Sequence, residues 1–191
     1  MALEVEVKLE VRDDPAAVRR MLRRLGYRVR VARALEVNLL FDTRGRMLQR
    51  SGKLIRLRRL GRHNLLTFKG VSRAARHKTR EEIETEVSDP RALDKILDRL
   101  GLHPVFRYEK HRTEFGRKGE AGVVTLDETP IGNYLEAEGP PRWIDRTARE
   151  LGYSPGDYIT ASYGRLYLEW CLKRGRTPGN MVFRARHRGK V

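Results

Sequence analysis

Apolar and charged residues alternate without a break from Leu3 to Arg12. Strand side chains point to opposite faces in turn, so Leu3, Val5, Val7, Leu9 and Val11 share one surface and Glu4, Glu6, Lys8, Glu10 and Arg12 the other. The same period of two recurs downstream. Lys53–Leu60 sets Ile55 and Leu57 against Arg56 and Arg58, and Leu65–Gly70 sets Leu66 and Phe68 against Thr67 and Lys69. A strand from about Thr79 to Val87 gathers Arg80, Glu82, Glu84 and Glu86 on one side. Val105–Phe115 carries Lys110 and Arg112 in phase, Val123–Glu128 places Thr125 and Asp127 opposite Val124 and Leu126, and Tyr134–Glu138 ends in Glu-Ala-Glu. With Leu35–Phe41 these make about eight strands, joined mostly by short turns and so mostly antiparallel.

Two segments carry a helical period instead. Asp13-Asp14-Pro15 starts a helix with Val18, Met21, Leu22 and Leu25 on one stripe, stopped by Gly26. Asp89-Pro90 repeats the pattern with Leu93, Ile96, Leu97 and Leu100, stopped by Gly101, and is again preceded by an acidic alternating strand. Two related strand-helix units predict pseudo-twofold halves. A third helix follows Pro140-Pro141, with Trp143, Ile144, Ala148 and Leu151 as its stripe. A fourth, starting near Asp157 or Ser162, buries Tyr163, Leu166, Tyr167, Trp170 and Cys171. The helices need apolar surface to dock on. If they cover the strands from outside, the charged faces turn inward and about eight strands close around them. The expected fold is therefore α+β: an eight-stranded antiparallel closed β-barrel with helices on the outside. A single domain spans 1–174, and 175–191 is expected to be a mobile basic tail.

Composition narrows the partners. Lys and Arg outnumber Asp and Glu by 41 to 25, a formal +16, which favours polyanions: nucleic acid, anionic membrane or phosphorylated small molecules. The single Cys171 excludes an internal disulfide and a Cys-rich zinc site. No apolar segment suggests secretion or a membrane span, so the expected setting is reduced and cytoplasmic. His63, His77, His103, His111 and His187 have no metal-ligand spacing, and there is no phosphate-cradling Gly-Lys-Ser/Thr loop. Any phosphate site has to be built from side chains.

The inward face supplies them in two groups. Glu4, Glu6, Asp127, Glu136 and Glu138 are hard oxygen ligands suited to Mg²⁺ or Mn²⁺. Arg56, Arg58, Lys69, Arg80, Lys110 and Arg112 offer cations shaped for phosphate oxygens. Such a lining is costly unless a bound ligand neutralises it. A ligand with several phosphates and a divalent cation satisfies both groups.

These residues also carry a resemblance. Glu4-x-Glu6-x-Lys8, Phe41-Asp42-Thr43, Arg56-x-Arg58, Thr67-x-Lys69, Arg80-x-Glu82-x-Glu84, Glu109-Lys110-x-Arg112, Leu126-Asp127-Glu128 and Glu136-x-Glu138 resemble, in order, the motifs of the CYTH family, the triphosphate tunnel metalloenzymes. Ser162-Tyr163 is similar to a C-terminal Ser-Tyr of that family, although Ala161 stands where many members carry a basic residue. The resemblance implies a tunnel binding a triphosphate with one or two divalent metals. Glu4, Glu6, Asp127, Glu136 and Glu138 would be metal ligands. Lys8, Arg56, Arg58, Lys69, Arg80, Lys110 and Arg112 would hold the triphosphate, with Glu82 and Glu84 orienting those cations or reaching a second metal. Lys8, Glu4 and Glu6 are the expected catalytic residues, Lys8 as a base if neighbouring cations lower its pKa.

The implied activity is metal-dependent hydrolysis of tripolyphosphate, thiamine triphosphate or ATP. The alternative is a class IV adenylyl cyclase forming cyclic AMP and pyrophosphate, since both reactions need the same lining. A third reading is a non-catalytic RNA or polyphosphate binder driven by the outer basic residues. Trp143, Tyr163, Tyr167 and Trp170 fall on helical stripes and offer such a binder no evident stacking platform.

Overall fold

The computed structural model describes residues 2–184. The alternation of β1 (Ala2–Val11) is realised: Val7, Leu9 and Val11 are buried on the outer face under helices, and Glu6 and Lys8 are buried on the inner one. Leu3, at the strand's open end, remains exposed. In chain order there follow α1 (Pro15–Arg24), β2 (Arg28–Asp42), the single turn α2 (Met47–Arg50), β3 (Leu54–Leu60), β4 (His63–Lys69) and β5 (Arg73–Ala74). Next come β6 (Lys78–Glu86), α3 (Pro90–Arg99), β7 (His103–Gly116), β8 (Val123–Thr129), β9 (Gly132–Glu138), α4 (Pro141–Glu150), a 3-10 turn (Pro155–Asp157) and α5 (Tyr163–Leu172).

The strands run β1-β9-β8-β7-β2-β3-β4-β6, and β6 pairs back onto β1, from Ala2↔Glu82 to Glu6↔Lys78. Every pairing is antiparallel, so eight strands close a barrel, and the two-residue β5 hangs on β6 outside that ring. Closure leaves the ring without a free edge.

The repeated helices form for the reason their sequences suggest. Asp14 accepts a hydrogen bond from the Ala16 N–H at 3.1 Å, and Asp89 from the Arg91 and Ala92 N–H groups at 2.9 and 3.0 Å. Proline follows each cap, and Gly26 (φ 85°) and Gly101 (φ 78°) end the helices in the left-handed region. The copies pack unequally. Val18 and Leu22 of α1 join Trp143, Ile144 and Ala148 of α4 over β1, β8 and β9 in the main core. From α3 only Leu97 is buried, against Phe41 and Leu57, while Ile96 and Leu100 are exposed.

Two segments differ from the expectation. β2 begins at Arg28, ahead of Leu35, because the alternation Arg28-Val29-Arg30-Val31 continues it along β7, with register shifts between Val29 and Ala34. Of the tail expected to be mobile from 175, residues 185–191 lie outside the described residues. Up to Arg184 the chain is anchored on β7: the Met181 N–H donates to Arg107 O at 3.0 Å, and the Glu109 N–H donates to Met181 O at 2.9 Å. Met181 is the cause, an apolar side chain buried in a cluster with Tyr108, Tyr134 and Tyr163. Among the described residues, no helix is long and apolar enough to cross a membrane.

Candidate active site: a charged tunnel

The inner faces of the strands enclose a cavity of about 360 Å³. It is lined by Glu4, Glu6 and Lys8 of β1, Arg56 and Arg58 of β3, Lys69 of β4, and Lys78, Arg80, Glu82 and Glu84 of β6. Lys110, Arg112 and Glu114 of β7 and Glu136 and Glu138 of β9 complete the charged lining. Every proposed ligand of metal or phosphate except Asp127 thus reaches one space. Asp127 points inward but is sealed at 0% exposure, where it accepts from Lys110 Nζ at 2.8 Å, Arg112 Nε at 2.7 Å and the Tyr163 hydroxyl at 2.7 Å.

Acids and cations are interleaved, and they answer one another. Lys69 Nζ donates to both oxygens of Glu4 at 2.8 Å, and Arg80 Nε adds a third bond at 3.1 Å. Lys78 Nζ donates to Glu6 at 2.6 Å, and Lys8 Nζ sits 3.2 Å from Glu6 and 3.1 Å from Glu136. Arg112 pairs with Glu136 as well as Asp127. The two groups therefore neutralise each other across the strands, and a triphosphate with its metal has to exchange partners with them rather than fill an uncompensated lining. Glu82 lies 3.0 Å from Lys69, and Glu84 accepts from Thr67 Oγ1 at 2.7 Å, an oxygen that itself accepts from Arg56 at 3.2 Å.

Burial alone would raise these carboxyl pKa values. For Glu6 and Glu136 it is outweighed, chiefly by Lys8, and for Glu4 by Lys69 and Arg80, so all three are held below the usual carboxylate range. Glu138 is the exception. It lies at the open end of the barrel without a cation partner among the described residues. Desolvation and the carboxylates of Glu4, Glu6, Glu136 and Glu82 push it up to about 7. Lys8 does not meet the condition for a base. Burial pulls its pKa down, but Glu136 and Glu6 more than offset that and hold it above the usual lysine value.

A divalent cation is tested here by the donors themselves. Among the described residues, no three acidic or histidine side chains converge in ready coordination geometry, because Glu4, Glu6 and Glu136 are turned onto cations. Glu138 lines the same cavity as Glu4, Glu6 and Glu136, and their oxygens are of the hard kind a divalent cation takes. Glu4, Glu6, Glu136 and Glu138 fit such an ion; the sealed Asp127 stands apart.

The chain matches the CYTH domain over residues 2–163. It belongs to the CYTH family. It is 28% identical over 136 residues to a protein of Methanocaldococcus jannaschii named "Putative adenylate cyclase", covering 71% of this chain and 76% of that one. The solved structure of a "putative adenylate cyclase" from Vibrio parahaemolyticus superposes with a TM-score of 0.73 at 23% identity, covering 86% of this chain and 97% of that one. A Hippeastrum structure, described as a putative adenylyl cyclase that reveals a dominant triphosphatase activity, gives 0.63 at 18% identity, over 93% and 98%.

In and behind the wall of this CYTH tunnel stand three residues to which the sequence pattern assigned no role in the site. Lys78 precedes Arg80 by two on the inner face, and its signal was lost by starting the strand one residue late. Glu36, with Asn38, faces inward from β2, where the adjoining Leu39 and Leu40 hide the alternation. Tyr163 belongs to the predicted helical stripe, yet its ring lies 5.3 Å from Lys8 Nζ and 5.0 Å from Lys110 Nζ and closes one end of the cavity. Ser162 before it caps α5, accepting from the Arg165 N–H at 3.3 Å.

Proposed function

We propose that the protein is a divalent-metal-dependent enzyme that binds an organic triphosphate in the tunnel and hydrolyses it. The observation that carries this is the convergence of acids and cations on one cavity inside the barrel. Arg56, Arg58, Lys69, Arg80, Lys110 and Arg112 grip the phosphate oxygens and spread the charge that grows on the departing phosphate. Lys8, whose ammonium lies 3.2 Å from Glu6 and 3.1 Å from Glu136, serves as a phosphate ligand once those carboxylates turn to the metal. A divalent cation held by Glu4, Glu6, Glu136 and Glu138 would neutralise phosphate charge and polarise the bond to be broken.

A second cavity, of about 680 Å³, supports an organic substrate. It shares Leu40, Leu54, Ser162 and Gly164 with the tunnel and is lined by Phe106, Tyr167 and Leu168, which suit a heteroaromatic ring. The same cavity serves the second reading, an adenylyl cyclase, which the names of the relatives favour. Purified protein incubated with tripolyphosphate, thiamine triphosphate and ATP under Mg²⁺ or Mn²⁺ separates them. Phosphate release is expected, with higher kcat/KM for an organic triphosphate than for tripolyphosphate. Cyclic AMP without phosphate would replace the hydrolase by the cyclase, and no turnover of any triphosphate would reject both.

A further inference from the structure

Beside Asp127 and Glu136, the stretch of wall that carries Arg58, Lys110 and Arg112 holds a further acid, Glu36, which is fully buried. Its Oε1 accepts a hydrogen bond from Asn38 Nδ2 at 3.0 Å, which fixes the carboxylate to its own strand. The cations surround it at longer range: Lys110 Nζ at 3.4 Å, Arg112 Nε at 3.8 Å and Arg58 Nε at 3.9 Å. Among the described residues, Oε2 of Glu36 and Nε of Arg58 find no hydrogen-bond partner. A buried carboxylate serving stability alone closes on its cations, as Asp127 does on Lys110 and Arg112 at 2.6–2.8 Å. Glu36 is held back from that closure, close enough to attract all three cations and bonded to none.

We infer that Glu36 is a positioning residue that sets how tightly the tunnel grips phosphate: fixed by Asn38 among Arg58, Lys110 and Arg112, its carboxylate occupies the place of one phosphate charge. This rests on the triphosphate reading. Before substrate binds, Glu36 keeps the three cations spread around an anion. With substrate bound it stays where it is and weakens the wall's hold, so that a product carrying fewer charges leaves more readily. Its charge opposes binding, and its tether to Asn38 prevents it from withdrawing the cations altogether.

Removing the charge and removing the tether should have opposite effects. Glu36→Gln keeps the shape and the acceptor for Asn38 but removes the charge. With Mg²⁺ present, the Kd for pyrophosphate and the KM for the triphosphate should both fall, on the order of tenfold, with kcat reduced as product release slows. The rise in Tm on adding tripolyphosphate should exceed that of the wild type. Asn38→Ala keeps the charge and frees the carboxylate to close on the cations, so KM should rise, while Glu36→Asp should restore a KM near the wild-type value. A purely structural Glu36 would lower the Tm of Glu36→Gln and leave KM, pyrophosphate affinity and the ligand-induced shift unchanged, which would overturn the inference. Should Glu36→Gln not fold, an Asn38→Ala variant with unchanged or lowered KM has the same force. A wild type that binds no triphosphate sinks the triphosphate reading and this inference together, a result distinct from an active wild type with indifferent variants.

Discussion

Glu138 carries a carboxylate that no cation answers among the described residues, so its protonation reports on what the tunnel contains. Its pKa is pushed up to about 7, from an ordinary 4.5, by desolvation and then by Glu4, Glu6, Glu136 and Glu82. The folded protein therefore holds a proton that the unfolded chain releases well below pH 7. Stability without metal should fall as pH rises from about 5 through 7 and the crowded carboxylate ionises. Divalent metal should reverse that trend, because binding requires the ionised form and expels the proton. Below pH 7, Mn²⁺ affinity should weaken by up to about tenfold per pH unit. Calorimetry in buffers of different ionisation enthalpy reads the released proton, and thermal unfolding at several pH values reads the stability. Glu138→Gln should flatten both profiles, and an unchanged Mn²⁺ affinity in that variant would remove Glu138 from the metal site.

At the scale of elements, the sequence was most legible where polar and apolar residues alternate along a strand. β1, β3, β4, β6 and β9 set their inner residues by parity alone, and Asp-Pro with a closing Leu-Gly marked α1 and α3. Legibility failed where side chains of one kind serve two surroundings. Leu40 lines the tunnel while Leu39 beside it packs outward, and Asp42, part of a motif read as family resemblance, is a local cap. Buried Asp42 accepts from the N–H groups of Thr43 at 2.7 Å and of Leu48 and Gln49 at 2.9 Å, which ties β2 to α2 at the end that adjoins the second cavity. Burial pushes its pKa up, but the three donors more than offset that and hold it below the usual value. Its contribution is thus complete above the unfolded pKa and is lost as pH falls through the folded one. Asp42→Ala strands three donors, and the chain should lose about 2–4 kcal/mol, read as a lower denaturant midpoint. The unequal helices give a second test. Leu22→Ala, in the closed core, should cost about 3 kcal/mol and Ile96→Ala, on the exposed face of α3, under about 1 kcal/mol.

Across the whole molecule, parity gave the composition of the tunnel but not its pairing. Which acid meets which cation depends on register between distant segments: Lys69 faces Glu4 only because β6 closes onto β1 at Ala2↔Glu82 while pairing with β4 at Lys69↔Glu82. The result is a cavity whose lining charges nearly cancel, so the formal +16 belongs mostly to the outer surface. A metal held by Glu4, Glu6 and Glu136, as proposed, would have to pull them from Lys69, Lys78, Lys8 and Arg112, leaving those cations bare. Triphosphate alone must do the reverse. Each partner bound first has already broken the ion pairs the second would otherwise have to break, so the two should bind with positive coupling. That coupling is reciprocal by linkage and of ordinary size, about 1–3 kcal/mol. Titrating Mn²⁺ with and without saturating tripolyphosphate, and tripolyphosphate with and without Mn²⁺, should give the same affinity ratio once formation of the complex in solution is subtracted. Lys69→Met should then strengthen Mn²⁺ binding in the absence of phosphate, since Glu4 loses its main competitor, while weakening tripolyphosphate. If Mn²⁺ binding to that variant were weaker as well, Lys69 would be supporting the acid cluster rather than competing for it, and the partner exchange would not take place.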